Sequence, residues 1–471
     1  MPSLRGFSVP RTLTGVRGFF KVFSQQLDEY CMAGKPLPRT VLDCGCGVGL
    51  IGICAAAALQ TTRPKAGPGG DFSVLSGRIR SQDRDELARL FTEYNARKNQ
   101  IPPGALEAHT EPLLAGQPDS RWDLILSNIP AKTGRPVLED FIRRSAALLN
   151  PGGLVMMVAV HTLAGFFRGR IESAGARLLR EEAGAEHVVF VYGGAGQADA
   201  GAGKAGRPEE REALSGGLLV NHPFYIRKSG DYQVEGIPLR LDTVYGAAGF
   251  DSPGGAVSAA IKLARRLGPE KLNLDSAAAL LVHEPGQGFF PLWLLKYLES
   301  AKPASFRLTE PAAPPALPSV VLSGRNILAL EAARHNIGAA FPPRGKGEPG
   351  ACNPGNEGAH VSDLKILCAA DLRAVKDGPF SFIAVFPEIV SLKSPHASGE
   401  KDWYSLLWEG IARLLVPGGT ALTASASAGA ERFDRKKPAG FKRAGDLRRD
   451  GFQATAYNKS TGFPPPSETD S

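Results

Sequence analysis

The amino-acid sequence predicts an α/β protein made of two tandem doubly wound domains. Apolar strands alternate with amphipathic helices along the chain, and the whole pattern occurs twice. A chain of 471 residues is also too long for one ordinary hydrophobic core, so two or three domains are expected. Such alternation is typical of mostly parallel sheets that helices cover on both faces.

Each copy begins with a strand, a glycine-containing turn and a helix, and continues with a second strand that leads into another helix. In the first copy these segments are TVLDCG, LIGICAAAALQ and, after a Pro/Gly-rich insert, SVLSGRIRSQDRDELARLFTEYNARKN. In the second copy they are AALLVHEPG, PLWLLKYLES and, after a Pro-rich insert, SVVLSGRNILALEAARHN. The two copies also share the words SVLSGR and SVVLSGR.

Each copy continues with a strand, a helix, the turn PGG and a further strand. These strands and helices are WDLILSN, PVLEDFIRRSAALLN and LVMMVAV in the first copy, and FSFIAVFP, WYSLLWEGIARLLV and TALTASA in the second. We expect EHVVFVYGG and GGLLVNHPFYIRK to close the first copy as a β-hairpin, which predicts domains at residues 1–228 and 229–471. Polar Gly- and Pro-rich segments at about 193–216 and 339–362 are predicted to be mobile surface loops.

The composition is that of a globular protein, with 43% hydrophobic and 22% charged residues. A net charge of +8 permits a nucleic-acid partner without requiring one. Cys44 and Cys46 lack the spacing and the second pair of a zinc site, so we expect no metal. The longest apolar stretch is shorter than a membrane span, and the N-terminus has no signal-peptide core. These features predict a cytoplasmic protein without a membrane anchor and leave its oligomeric state open.

A glycine-rich turn follows the first strand directly. VLDCGCGVG places Gly45, Gly47 and Gly49 at alternate positions just before the first helix. Glycines allow a tight turn and let a ligand approach the backbone at the end of the strands where open parallel sheets bind ligands. Asp43 ends the first strand, where it can act on a cationic amino group directly or through water. Asp83 ends the second strand, where a carboxylate commonly holds a ribose diol; the alternative is a solvated carboxylate at a helix start.

The glycine spacing and the turn after the fourth strand resemble those of the class I S-adenosylmethionine-dependent methyltransferases. The spacing is G-x-G-x-G after an acid, and the strand WDLILSN runs into Asn128, Ile129 and Pro130. The order of motifs covers almost all of residues 38–225. The resemblance implies S-adenosylmethionine as the cofactor and, in each copy, a mostly parallel seven-stranded sheet with a C-terminal antiparallel hairpin.

The resemblance also implies a catalytic role for Asn128, Ile129 and Pro130. Members with an Asn-Pro-Pro or Asn-Ile-Pro turn typically methylate planar nitrogens, such as the exocyclic amines of bases. The Asn side-chain oxygen and a backbone carbonyl of the turn accept the hydrogens of the amine, which orients its nitrogen toward the methyl group. The alternative is that Asn128 only caps the end of a strand.

Two positions depart from the family pattern. Ala131 stands where relatives have an aromatic residue that stacks on the base, so either another aromatic stacks or the target is not a base. The candidates for that stacking are Phe19, Phe20 and Phe141. Relatives often place an Asp after the third strand to meet the adenine amine; here Thr110 and Glu111 occupy this region, and either can accept that hydrogen bond.

The second copy is expected to have lost these residues. Its turn, HEPGQGFFP, is predicted to keep the acid as Glu284 and two glycines as Gly286 and Gly288. Phe289 is predicted to replace the last glycine. Gly324 is predicted at the position of Asp83, so the ribose carboxylate is absent. Phe386 is predicted at the position of Asn128, with Glu388 in place of a small residue.

Tandem methyltransferase domains, one active and one degenerate, resemble the bacterial ribosomal-RNA guanine-N2 methyltransferases. The lead-in EGIPLRLDTVYGAAGFDSPGG, residues 235–255, is also similar to the segment before their catalytic domain. In that family the C-terminal copy is usually active, whereas here the motifs lie in the N-terminal copy. We therefore expect residues 1–228 to be catalytic and residues 229–471 to be a degenerate scaffold or RNA clamp.

A basic stretch late in the second copy, residues 432–450, is a candidate RNA contact. The interleaved Phe433 and Phe441 are suited to an unstacked base and the cations to phosphates. The predicted contacts are Lys436, Lys437, Lys442 and Arg443. The alternative is a loop and helix whose charges are merely solvated.

Together these patterns predict an S-adenosylmethionine-dependent N-methyltransferase that acts in rRNA processing. Its partner is expected to be ribosomal RNA or a ribosomal particle, and its target a base exocyclic amine, with guanine N2 as the best guess. The alternatives are methylation of a protein amide or a small molecule, and a non-catalytic RNA-binding or assembly factor with methyltransferase-like domains.

Overall fold

The structure of the protein, a computed structural model, describes residues 14–62, 78–117, 121–194, 217–249, 251–274, 279–301, 316–342, 360–361, 363–387 and 402–462. Most of the two predicted mobile loops, residues 195–216 and 343–359, lies outside the described residues. The chain divides into two compact units, Met1–Tyr225 and Ile226–Ser471.

The first unit alternates strands and helices as the sequence pattern predicts. Its helices are α1 (Thr14–Met32), α2 (Leu50–Thr62), α3 (Glu86–Lys98), α4 (Arg135–Ala147), α5 (Ala164–Ser173) and the short α6 (Leu218–Asn221). Its strands are β1 (Thr40–Cys44), β2 (Arg78–Asp83), β3 (Leu106–Thr110), β4 (Trp122–Asn128), β5 (Leu149–Val160), β6 (Arg177–Ala183) and β7 (His187–Gly193).

These strands form a seven-stranded sheet in the order β3-β2-β1-β4-β5-β7-β6. β1 to β5 pair in parallel, whereas β7 runs antiparallel to both β5 and β6. Neighbouring residues of the central strands face opposite sides of the sheet. Leu126 and Met156 pack in one apolar cluster, and Ile125 and Val155 pack in the other. Both faces are therefore buried, which explains why these strands are almost continuously apolar.

The closing hairpin of the first unit differs from the one we expected. The pair of β7 is β6, and the segment GGLLVNHPFY does not join the sheet. It forms α6 and a 3₁₀ turn at Pro223–Tyr225, which contacts α4, and the Tyr225 hydroxyl donates a hydrogen bond to the carbonyl of Pro112 (3.2 Å). The apolar residues of this segment made it look like a strand, but they serve to pack a short helix and turn.

The second unit repeats this order after an additional N-terminal hairpin. Its helices are α7 (Gly255–Lys271), α8 (Phe289–Ser300), α9 (Ile327–Ala340), α10 (Trp403–Leu414) and α11 (Ser427–Arg435). Its strands are β8 (Ile226–Val234), β9 (Ile237–Val244), β10 (Ala279–His283), β11 (Ala316–Leu317), β12 (Ser319–Gly324), β13 (His360–Val361), β14 (Leu364–Cys368), β15 (Phe380–Val385), β16 (Leu415–Ala426), β17 (Phe441–Arg449) and β18 (Phe452–Lys459).

The main sheet of the second unit has the same topology as the first. Its order is β14-β12-β10-β15-β16-β18-β17, again with a single antiparallel strand between two others at one end. β8 and β9 form a separate antiparallel hairpin. The predicted fold class, two tandem doubly wound domains with seven-stranded sheets, is confirmed. Within the part of the chain that the structure describes, no helix is both long and apolar enough to cross a membrane.

An asparagine at the same place in α3 and α9 ties each helix to the turn after the first strand of its sheet. In the first unit the Asn95 Nδ2 donates to the carbonyl of Val48 (2.9 Å). In the second unit the Asn336 Nδ2 donates to the carbonyl of Gln287 (3.0 Å). The buried Asn336 also bonds both backbone groups of Asp242 in β9, at 2.8 and 3.0 Å.

Substitution of Asn336 by Ala is expected to destabilise the second unit by about 3 kcal/mol. The change removes three hydrogen bonds to backbone groups, of which the one to Gln287 is buried and the two to Asp242 are half-buried, and each contributes about 1 kcal/mol. Denaturant unfolding followed by circular dichroism measures the loss. Asn95→Ala is the matched control, because it removes one exposed bond and is expected to cost no more than about 1 kcal/mol. Equal losses for the two variants would contradict this account.

Candidate active site

The candidate site lies where the order of strands in the first sheet changes direction. β1 pairs with β2 on one side and with β4 on the other. The strands that follow β1 extend toward one edge of the sheet, and those that follow β4 extend toward the other. Open α/β sheets bind ligands in the crevice outside the carboxyl ends of such strands. In register, Cys44 of β1 lies beside Gln82 of β2 and Ser127 of β4. The residues that follow these three therefore emerge together at one edge.

The predicted glycine turn occupies this edge. Gly45, Gly47 and Gly49 all have left-handed backbones, with φ of 73°, 56° and 83°. The Gly45 amide donates to the carbonyl of Gln82 in β2 (2.8 Å), and the Gly49 amide donates to the carbonyl of Cys46 (2.8 Å), so backbone hydrogen bonds hold the turn. A Cβ at Gly49 would lie 2.9 Å from the Thr92 side chain, whereas a Cβ at Gly45 or Gly47 would contact no described atom within 4 Å. The turn thus packs on α3 through Gly49 and borders open space at the other two glycines.

Asp43 lies fully buried beneath this turn. Its Oδ2 accepts hydrogen bonds from the Gly52 amide (3.0 Å) and the Ser81 hydroxyl (3.3 Å), whereas its buried Oδ1 has no donor among the described residues. Burial, which these two bonds only partly offset, raises the pKa of Asp43 to about 7. A buried acceptor without a donor fits a ligand that supplies a cationic N–H group at this position.

Two residues that hold Asp43, Gly52 and Ser81, were not predicted from the sequence. Gly52 lies in the first turn of α2, and a Cβ there would lie 2.4 Å from the Ser81 Oγ and 2.8 Å from the Asp43 Oδ2. Ser81 is a buried hydroxyl on β2, directly beside Asp43 in register. The sequence does contain one indication of the close contact between α2 and Asp43, which is a glycine inside an otherwise apolar helix just after the glycine turn.

Asp83 connects the tip of β2 to the glycine turn. Its Oδ2 accepts from the Gly47 amide (3.1 Å), and its Oδ1 accepts from the Asp85 amide (3.1 Å). Each carboxylate oxygen can accept more than one hydrogen bond, so the half-buried Asp83 retains acceptor capacity for a diol. The helix-start role weighed for this position belongs to Asp85, whose side chain caps α3 through the Leu87 amide (2.9 Å).

Thr110 ends β3 beside Asp83 in register. Its hydroxyl forms a hydrogen bond with the Glu86 carboxylate. The next residue, Glu111, pairs with Arg80 through its Oε1 (2.9 Å), while its Oε2 is buried and lacks a donor within the described residues. Both residues can accept a further hydrogen bond, and Glu111 is the one with an unsatisfied oxygen.

The Asn-Ile-Pro turn follows β4 at the same edge. Asn128 is exposed, whereas Ile129 is 3% exposed and anchors the turn in the core. The Ile129 amide donates to the carbonyl of Val158 (3.1 Å), and the Thr133 hydroxyl donates to the carbonyl of Pro130 (2.6 Å). The turn is therefore fixed at both ends and presents the Asn128 amide group to solvent. No group of three or more metal-ligating side chains occurs among the residues the structure describes.

Residues 22–168 match the family model described as "Methyltransferase small domain". This range contains the glycine turn, Asp83 and Asn128. The first unit is a methyltransferase domain. Its cofactor is S-adenosylmethionine, and the residues present fit that cofactor through the open side of the glycine turn and the unsatisfied oxygen of Asp43.

Solved structures extend this comparison to the whole chain. The 16S rRNA N2 G1207 methyltransferase of T. thermophilus, in complex with AdoMet and guanosine, is 15% identical over 90% of this chain and 89% of that chain, with a TM-score of 0.53. The ribosomal protein L11 methylase of Lactobacillus delbrueckii subsp. bulgaricus is 20% identical over 36% of this chain and 78% of its own, with a TM-score of 0.28. No curated protein matches the chain in sequence. The first likeness shows that the two-unit fold of this methyltransferase is shared.

Two of the three aromatic residues proposed to stack on a base are not available for that role. Phe19 and Phe141 are 0% and 1% exposed and lie inside the two apolar clusters of the methyltransferase domain. These two predictions were wrong because helical spacing placed the rings on the core faces of α1 and α4. Phe20 is half-buried at the margin of the first cluster, and its stacking role stays a prediction.

The basic stretch of residues 432–450 also differs from expectation. Phe433 and Phe441 are 1% and 5% exposed and pack on Trp408, so neither can stack on a base. Among the predicted RNA contacts, Lys436 pairs with Asp402 (2.6 Å), Arg443 pairs with Asp434 (2.8 Å), and Lys437 donates to the carbonyl of Phe441. Lys442 is exposed. The RNA contacts of these four cations stay a prediction, now without their aromatic partners.

The counterpart turn in the second unit has a different alignment from the one predicted. The Glu284 amide donates to the carbonyl of Ser323 (2.7 Å), just as Gly45 bonds Gln82, and Glu284 has a left-handed backbone with φ of 56°. Glu284 therefore occupies the position of Gly45, not that of Asp43. Consequently Gly286 and Gly288 match Gly47 and Gly49, the last glycine is kept, and Val282 matches Asp43. The predicted alignment was wrong because Glu284 lies one residue beyond the end of β10, whereas Asp43 lies within β1.

Side chains fill the equivalent edge of the second unit. The Glu284 Oε1 accepts from the Arg325 amide (3.1 Å), and a Cβ at Gly324 would lie 3.1 Å from the Glu284 Oε2. Gly324 pairs with the end of β14 as Asp83 pairs with the end of β3, so a carboxylate from the turn lies over the place of the lost carboxylate. Phe386 stands at the position of Asn128 and packs on Phe290, with ring centroids 5.1 Å apart. Glu388 lies outside the described residues.

The raised pKa of Asp43 predicts a pH-dependent stability of the unliganded methyltransferase domain. The folded pKa of about 7 exceeds the unfolded value of about 3.9, so the folded state keeps a proton that the unfolded state releases between these pH values. The free energy of unfolding should therefore fall by about 1.4 kcal/mol per pH unit as the pH rises through this window. Denaturant unfolding of wild type and Asp43→Asn at several pH values isolates the contribution of Asp43. A difference between the two proteins that does not change with pH would refute the shift.

Proposed function

We propose that this methyltransferase transfers a methyl group to an exocyclic amine of a ribosomal-RNA base, with guanine N2 as the best candidate. The observation that carries the proposal is the exposed Asn128 on an anchored Asn-Ile-Pro turn at the same sheet edge as the cofactor turn. The 16S rRNA specificity of the T. thermophilus enzyme with the same two-unit fold supports this choice of substrate.

The chain's own residues act mainly by positioning. S-adenosylmethionine, when bound, supplies a methyl group that its sulfonium already makes electrophilic. Asn128 accepts one hydrogen of the target amine through its side-chain oxygen. The carbonyl of Ile129, which has no hydrogen-bond partner among the described residues, accepts the other. Two acceptors aim the nitrogen lone pair at the methyl group, and the amine loses its proton after transfer, so no general base is needed.

The cofactor is held, in this proposal, by residues on both sides of the glycine turn. Asp43 meets the cationic amino group of the methionine part with its unsatisfied Oδ1, Asp83 accepts from the ribose diol, and Glu111 or Thr110 accepts from the adenine amine. The second unit does not bind the cofactor, since Glu284 and Phe386 fill its edge and Val282 replaces the acid. We propose that it serves as a scaffold or RNA clamp in the cytoplasm.

Calorimetric titration with S-adenosylmethionine is expected to detect one binding site per chain. Asp83→Ala should weaken binding roughly 10- to 100-fold, because it removes two acceptors of charge-assisted hydrogen bonds. Asp85→Ala is the matched control: it removes a carboxylate two residues away and a helix cap, but no cofactor contact. Two sites per chain would contradict the assignment of the second unit, and the absence of binding would favour a non-catalytic assembly factor.

Asn128→Ala is expected to lower the turnover number about 100-fold, because the target amine loses its orientation. The affinity for S-adenosylmethionine should not change. The assay follows tritium from the cofactor methyl group into 16S rRNA transcribed in vitro, which carries no methyl groups, with ribosomal proteins tested in parallel. Asn150→Ala, at the opposite end of β5, is the control asparagine. Label found in protein and not in RNA would overturn the RNA proposal and favour a protein amide.

A further inference from the structure

We propose that Lys132, Arg135 and Phe166 form a basic–aromatic patch that holds unpaired RNA against the catalytic turn. This inference rests on the proposed function and names the surface through which the first unit meets its substrate. It also supplies a ring for stacking in a site where the family's aromatic residue is replaced by Ala131.

The strand register places the patch beside Asn128. Asn128 pairs with Val158 of β5. Three residues beyond Val158 the chain leaves the sheet at His161, and α5 begins at Ala164 with Phe166 in its first turn. Arg135 begins α4, directly after the Asn-Ile-Pro turn and the 3₁₀ turn that contains Lys132. The first turns of α4 and α5 therefore meet at the edge where β4 and β5 end.

The contact between the two helices is a cation–π interaction. The Arg135 guanidinium carbon lies 5.9 Å from the centroid of the Phe166 ring, and that of Arg170 lies 5.7 Å from it. Phe166 is half-buried, so part of its ring remains accessible. Aromatic rings and guanidinium planes are the groups on which proteins stack unpaired bases, and stacking tolerates any base.

The charge of the patch is not neutralised locally. Lys132 and Arg135 are both exposed, and neither forms an ion pair within the described residues. Arg170, by contrast, pairs with Glu139 (2.8 Å). Free cations next to a ring suit a chain of phosphates that carries an unstacked base, because neutralising phosphates releases counterions.

The basic stretch of the second unit lacks an accessible ring. Its Lys436 and Arg443 pair with aspartates, whereas Arg432, Arg435 and Lys442 are exposed and form no ion pair within the described residues. Its aromatic rings lie in the core. Because the patch of the first unit joins unpaired cations to a half-buried ring, we place the main RNA contact there.

The test is fluorescence anisotropy of the full chain with a fluorescein-labelled, mixed-sequence, single-stranded RNA 20-mer at several KCl concentrations. Lys132→Ala/Arg135→Ala should weaken binding and reduce the slope of log Kd against log salt by about 1.4, since each lost phosphate contact on a single strand contributes about 0.7. Phe166→Ala should weaken binding roughly tenfold without changing the slope, and Phe166→Tyr should restore it. S-adenosylmethionine affinity, measured by calorimetry, should stay at the wild-type value in all three variants.

The control is Lys21→Ala/Arg168→Ala, which removes the same charge from the same unit. Lys21 pairs with Glu182 and Arg168 with Glu181, so these cations are already neutralised and the salt slope should not change. An equal fall in slope for this control would reduce the effect to net charge and overturn the proposal. A fall seen only with Lys436→Ala/Lys437→Ala would also overturn it and place the RNA surface on the second unit.

Failure of this inference differs from failure of the proposed function. If wild type methylates 16S rRNA and binds the 20-mer, but the patch variants do both equally well, only the patch is wrong. If wild type methylates protein and does not bind RNA, the proposed function itself is wrong, whatever the variants do.

Discussion

The register of β1 with its two neighbours fixes where every candidate catalytic residue lies. Cys44 sits beside both Gln82 and Ser127, so the next residues of the three strands reach one edge together. The glycine turn, Asp83 and Asn128 are these next residues. Hydrogen bonds then lock the arrangement: Gly45 to the carbonyl of Gln82, and Gly47 to the carboxylate of Asp83. A shift of one residue in either pairing would separate the cofactor turn from the Asn-Ile-Pro turn.

Much of the fold and of the cofactor edge follows from local pattern. The sequence shows glycines at alternate positions after β1 and an acid at the end of β2. Both features can be predicted because they follow from the backbone conformation of the turn and from the place where parallel sheets bind ligands. Gly52 and Ser81 were missed because their role depends on a contact between α2 and β2 that no local pattern reports. The burial of Phe433 and Phe441 was missed for a similar reason, since both rings pack on Trp408 of α10, a contact between separate elements that no local pattern reports.

The two units show how one topology supports two different edges. Both keep the left-handed turn, the last glycine against the helix, and the asparagine that holds the turn from α3 or α9. They differ in the side chains that the edge presents. In the first unit the turn borders open space and leaves a buried oxygen unsatisfied, whereas in the second unit Glu284 and Phe386 occupy that volume. The two units therefore share the packing of the turn but differ in the side chains at the edge of the sheet.

The left-handed Glu284 makes the second unit an internal reference for the first. A non-glycine residue in this conformation costs about 1 kcal/mol, yet the backbone still turns as it does at Gly45. The difference between the edges therefore lies in the side chains at Val282, Glu284, Gly324 and Phe386. One polypeptide therefore has two edges with the same backbone turn, of which the first borders open space and the second is filled by its own side chains. Under the proposed function, spectra, exchange rates and thermal shifts of the second unit serve as an internal reference for signals of ligand binding in the first.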